Sequence, residues 1–132
     1  MSRYLHLELS HITLEELPSA LEFFKIPHEI AHAGELLTLE GSLECVGDPV
    51  QIRLPSGSCN TVEDYGFVLV EGKLHLICGE YDRRLLQDTL IHPLSQHIML
   101  KRAQKLATKN GMHIEDTLEI DGTRRIRLTP KT

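Results

Sequence analysis

The chain of 132 residues has no Trp and only three Tyr and three Phe. Platforms that stack single-stranded bases are built from aromatic rings, so that class of binder is disfavoured. Positive charge is also short. Fourteen Lys and Arg stand against 19 Asp and Glu, a formal net charge of −5 at pH 7. General nucleic-acid binding relies on Lys and Arg displacing phosphate counterions, so it too is disfavoured. Cysteine is scarce and odd in number, at Cys45, Cys59 and Cys78, and no Cys-x-x-Cys pair occurs. A disulfide framework favours an even count in a secreted chain, which points to reduced thiols and a cytoplasmic protein. No run approaches the roughly 20 apolar residues of a membrane helix, and the first residues carry no signal-peptide pattern. Gly47-Asp48-Pro49 and Ser56-Gly57-Ser58 read as turns rather than a phosphate cradle, and there is no serine-nucleophile elbow.

What is present is a globular composition, 41% hydrophobic and 25% charged. The length predicts one domain, residues 1–132, large enough to bury a core. Residues 4–10 alternate, with Leu5, Leu7 and Leu9 on one face, as in a half-buried strand. Thr13 and Glu16 fit a helix capping box, and Ile12 with Leu17 fits the hydrophobic staple before it. Leu14, Leu17, Leu21 and Phe24 follow at helical spacing. Pro18 would remove the bond to the Leu14 carbonyl, so either the first turn is distorted or the helix starts at Pro18.

Residues 28–54 read as short strands and turns. Leu37 and Leu39 alternate with polar neighbours, and Val50, Ile52 and Leu54 are expected on one face of a strand. Residues 55–64 form a loop that leaves Cys59 exposed, whereas Cys78 belongs to the core. Residues 65–78 read as a hairpin about Glu71-Gly72. A two-residue turn there sets Phe67 opposite Leu76, Leu69 opposite Leu74 and Val68 opposite His75. Residues 83–110 are helical in character, with a break or kink expected at Pro93 and a stop at Asn110-Gly111. In the second half, Met99, Leu100, Ala103, Leu106 and Ala107 are the expected apolar side. A last hairpin surrounds Asp121-Gly122. Parity rejects a two-residue loop and selects a three-residue one, Ile120, Asp121 and Gly122, with Gly122 left-handed. That sets Ile114 opposite Leu128 and Glu115 opposite Arg127. The expected fold class is α+β: a mostly antiparallel sheet, one short and one long helix on one face, and a closing C-terminal hairpin.

One catalytic motif is matched literally. His28-Glu29-Ile30-Ala31-His32 is the His-Glu-x-x-His of zinc peptidases, in which two His one helical turn apart ligate zinc and the Glu activates its water. With eight His and 13 Glu in the chain, chance alone supplies such a match in roughly one chain in 25 of this composition. Pro27 and Gly34 leave room for less than two turns of helix. In a strand the two His Cα atoms would stand about 13 Å apart, too far to share one ion at bonds of roughly 2.1 Å. Glu35 and Glu40 are the candidates for a third ligand. A second feature is the basic row Lys101, Arg102, Lys105 and Lys109. It reads either as a solvated helix end that complements the helix dipole or as a docking surface for an acidic protein partner. Arg124, Arg125 and Arg127 could extend it, or could guard a strand edge against unwanted pairing.

Several segments together are similar to a small family of bacteria, cyanobacteria and algal plastid genomes, the hypothetical chloroplast reading-frame proteins, a domain of unknown function. The segments are residues 4–25, the stretch YGFVLVEGKLHLI (65–77), Leu94-Ser95-Gln96, residues 103–112 and IEDTLEIDGTRRIRL (114–128). His97 and Ile98 stand where the family carries aromatics, and Pro93 is a departure. The resemblance implies a small soluble protein, an accessory to a larger machine, with no catalytic residues to carry over.

The expectation is therefore a non-enzymatic accessory or interaction domain without cofactor, with a protein partner, no membrane, and homo-oligomerisation open. The alternative is a zinc-dependent hydrolase using His28, Glu29 and His32.

Overall fold

The computed structural model describes residues 4–41 and 47–130; Cys45 lies outside them. The chain is α+β, with antiparallel strands, a short and a long helix, and a C-terminal hairpin, as its patterning predicts. It divides into two compact units, Met1–Pro93 and Leu94–Thr132.

The first unit is built on β1 (Tyr4–Leu9), β2 (Glu29–Ile30), β5 (Ile52–Leu54), β6 (Tyr65–Val70) and β7 (Lys73–Gly79), in the order β1-β7-β6-β5-β2. β6 and β7 pair in the register that the alternation predicts, Phe67 with Leu76, Val68 with His75 and Leu69 with Leu74. Their turn has Glu71 at φ 53° and Gly72 at φ 79°. Two left-handed residues match the twist of the strands they join. β1 then adds beside β7, with Leu5, Leu7 and Leu9 opposite Cys78, Leu76 and Leu74.

The helix after β1 takes the distorted form. Leu14–Glu16 is a 3₁₀ turn, and α1 (Leu17–Phe23) follows with Pro18 in its first turn, where no N–H is needed. The Thr13 N–H donates to Glu16 Oε1 at 3.1 Å and the Glu16 N–H to Thr13 O at 3.2 Å. Ile12, Leu17, Ala20 and Leu21 are buried. Phe24, expected among them, is instead 37% exposed and packs edge-on against Phe23.

The sheet is covered on its second face as well. Val50 belongs there, in a cluster with Leu39, Val68 and Ile77, and not beside Ile52 and Leu54 as strict alternation predicts. The chain breaks at Gln51 between β4 (Pro49–Val50) and β5, and β4 pairs with β3 (Leu37–Thr38). Gln51 spans the break. Its N–H donates to Phe67 O at 2.8 Å, and its side-chain Oε1 accepts from the Leu69 N–H at 2.6 Å. A side-chain amide thus replaces the carbonyl that a continuous strand would have supplied. Gly66 makes the crossing possible, because a Cβ there would lie 2.4 Å from Ile52 O and 2.8 Å from Val50 Cγ1.

α2 (Arg83–Leu86) passes through a π-helical stretch, Gln87–Ile91, into α3 (His92–Lys109). The irregularity sits where Pro93 predicts it. Pro93 cannot donate to the Thr89 carbonyl and its ring crowds that carbonyl, so the turn before it widens instead of breaking.

The second unit contains most of α3 and the hairpin of β8 (Met112–Leu118) and β9 (Arg124–Pro130). Ile114 pairs with Leu128 and Glu115 with Arg127. The loop has the three-residue form: Glu119 N–H donates to Thr123 O at 2.7 Å, Gly122 N–H donates to Glu119 O at 3.0 Å, and Gly122 has φ 89°. On α3, Leu94, His97, Ile98 and Ala107 are buried. Met99 and Leu106, expected on the apolar side, are 56% and 48% exposed. At about 100° per residue, Leu100, Ala103 and Ala107 lie nearly opposite Leu94 and Ile98, so the two halves of α3 bury different faces.

Candidate functional site

The zinc-peptidase reading needs helix over residues 27–34. No helix forms there: β2 pairs Glu29 with Arg53 and Ile30 with Ile52, the Ala31 N–H donates to Gln51 O at 2.9 Å, and a turn follows at residues 33–34. His28 Nδ1 lies 2.9 Å from Ile26 O, and His32 is exposed. Glu29 is committed to a two-oxygen ion pair with Arg53 Nη2 at 3.1 and 3.0 Å, while Arg53 Nη1 donates to Thr38 O at 2.8 Å. The motif's three side chains are therefore not brought to one point. Among the described residues no group of three or more His, Cys, Asp and Glu side chains could hold a metal ion.

The pair of Glu29 and Arg53 borders a polar cleft of about 180 Å³ that also has Glu40, Ser56 and Asp64 in its wall. Its carboxylates hold loops. Asp64 accepts from the Tyr4 hydroxyl at 2.5 Å and from the Glu40 and Gly41 N–H groups at 2.7 and 2.9 Å. Asp82, buried nearby in sequence at the start of the helical run, accepts from the Val62 and Glu63 N–H groups at 2.9 and 3.1 Å. A buried carboxylate that receives backbone N–H groups is a satisfied structural element. Reading the sequence missed both, because nothing in an acid's own neighbours marks what it will accept.

Two of the remaining histidines meet on the sheet. His6 Nε2 is 3.5 Å from Asp48 Oδ2, and the His6 and His75 rings meet edge-on with centroids 6.2 Å apart. Cys78 is fully buried, and burial pushes its thiol up to about 11, with the nearby Asp82 charge adding to the shift. Burial likewise raises the Tyr65 phenol, whose oxygen lies 3.1 Å from Ser58 Oγ.

The strongest arrangement is electrostatic. Residues 1–93 carry six Lys and Arg against 15 Asp and Glu, or −9; residues 94–132 carry eight against four, or +4; together they give −5. Lys101, Arg102, Lys105 and Lys109 are all exposed on α3. Lys101, Lys105 and Lys109 border a shallow depression of about 370 Å³ with Gln104 and Thr108. They continue along the helix the row that begins with buried Leu94 and Ile98, so the row turns from apolar to cationic partway along α3. On the hairpin, Arg125 and Arg127 are exposed on the face that carries Glu115 and Thr117.

No protein-family model, curated protein or solved structure matches the chain. The fold and its surfaces define an α+β protein with an acidic sheet unit and a basic helix-and-hairpin unit.

Proposed function

We propose that the protein is an accessory, protein-interaction module of the cytoplasm, not an enzyme, whose basic C-terminal unit docks an acidic protein partner. The observation that carries this reading is the segregation of charge. A net +4 on residues 94–132 of an otherwise acidic chain places an attractive field on one unit only. The exposed row Lys101, Arg102, Lys105 and Lys109 is the part of that field with a regular geometry. The composition of the same unit argues against nucleic acid as the partner. Residues 94–132 contain no Phe, Tyr or Trp to stack on bases, and the −9 elsewhere repels phosphate. The segments that resemble the plastid reading-frame family imply the same role, an accessory part of a larger assembly.

The test is charge reversal at Lys101→Glu and Lys105→Glu, followed by affinity capture from host extract beside the unaltered protein. The expected result is loss of the partners captured at low salt. An unchanged set of partners would remove the helix row from the proposal.

A further inference from the structure

The hairpin of the C-terminal unit leaves a sheet edge whose chemistry can be read residue by residue. Glu119 N–H bonds to Thr123 O, so these two form a hydrogen-bonded pair at the loop. Hydrogen-bonded and non-hydrogen-bonded pairs alternate along an antiparallel ladder. Arg125, Arg127 and Thr129 therefore turn their backbone groups toward β8. Ile126 and Leu128 turn theirs away, and among the described residues no other strand pairs with β9. Pro130 falls in the outward set, where its missing N–H takes nothing from the hairpin.

The side chains along this edge are sorted too. Ile126 and Leu128 are half-buried on one face, and Arg125 and Arg127 are exposed on the other. β9 carries no acidic residue, whereas β8 carries Glu115 and Asp116. The Arg125 ion pair with Glu119, at 3.3 Å with Arg125 66% exposed, is of the weak, screened kind that an incoming carboxylate displaces.

We propose that the free edge of β9 takes an extended acidic segment of a partner protein by strand addition. The segment's backbone pairs with Ile126 and Leu128, its Asp or Glu side chains face Arg125 and Arg127, and its apolar side chains lie beside Ile126 and Leu128. The occupant is a partner and not a second β9, because two such edges would set Arg against Arg. The charges that guard the edge against self-pairing also select an acidic strand. The proposal rests on the reading of this unit as the docking unit and assigns it a register.

The test uses the full chain, isotope-labelled for amide spectroscopy, and two blocked peptides as long as β9. One alternates glutamate with valine and the other lysine with valine. The expected result is that only the glutamate peptide shifts the amides of residues 124–130 and slows hydrogen exchange at Ile126 and Leu128. Arg125→Glu with Arg127→Glu should weaken it about tenfold. Ile126→Pro, which removes an outward N–H and no hairpin bond, should abolish the pairing while the β8 amides keep their positions. Equal response to both peptides, no response to either, or shifts confined to α3 would overturn the strand-addition proposal. Shifts on α3 alone would leave the docking-unit reading standing, whereas loss of capture on reversing Lys101 and Lys105 bears on that reading and not on the edge.

Discussion

Gly66 shows how one missing atom decides a local architecture. The Val50 side chain and the Ile52 carbonyl occupy the space where its Cβ would be. Ala at this position meets a backbone oxygen, which cannot rotate away as a side chain can. Gly66→Ala should therefore destabilise the protein by about 2 kcal/mol or more, read as a lower denaturant midpoint at unchanged slope. A midpoint within error of the parent would contradict the close crossing. At Cys78 the residue scale governs reactivity. The thiolate is the nucleophile, and burial holds this group in the thiol form up to about pH 11. Iodoacetamide at pH 8 should leave Cys78 unlabelled in the folded protein and label it once unfolded, as mass spectrometry of its peptide would report. The linkage has a definite sign. The folded value lies above the ordinary 9.0, so the contribution is complete below pH 9 and is lost as pH rises through about 11.

At the scale of elements, the segment of residues 27–34 is the instructive case. A two-residue strand, β2, is held by its ladder to β5 and by the Glu29–Arg53 ion pair, not by any propensity of its own. Extension separates His28 from His32 and engages the Glu that a metallohydrolase would need. Tag-free protein should contain zinc well below one equivalent by elemental analysis, and His28→Ala with His32→Ala should leave that figure unchanged. Stoichiometric metal lost in the double variant would reinstate the hydrolase. The helical run from α2 to α3 makes a related point. Pro93 does not end the helix, because a π turn absorbs the lost bond and the crowded carbonyl at a lower cost than breaking the element.

For the whole molecule, the division into an acidic and a basic unit has a consequence for stability as well as for docking. β6 and β7 lie inside a five-stranded sheet with both faces covered. β8 and β9 form a two-stranded sheet, and Leu118 and Ile120 near its tip are 69% and 108% exposed. A hairpin of two strands is marginal on its own. Amide exchange in β8 and β9 should accordingly be faster than in β6 and β7, by a factor of roughly 10² or more, as local opening precedes global unfolding. Equal protection in the two hairpins would mean that the molecule opens as a single cooperative whole.

Several features were decided along the chain itself. The register of β6 with β7 and of β8 with β9 follows from alternation plus the length of a Gly-containing turn, because both strands of each pair lie within a few residues of the loop that sets them. The capping box at Thr13 and Glu16 and the disturbance before Pro93 are equally local. The basic row on α3 was visible for the same reason, since helical spacing fixes which residues share a side. Only the tertiary structure could decide the rest. It moved Val50 to the second face through the break at Gln51, paired Glu29 with Arg53 across 24 positions, and set Tyr4 against Asp64 across 60. It also gave Asp82 the loop amides of Val62 and Glu63. Contacts of this kind join segments whose own sequences do not name their partners. They are chosen by which arrangement buries the apolar faces together and still satisfies every backbone group enclosed with them.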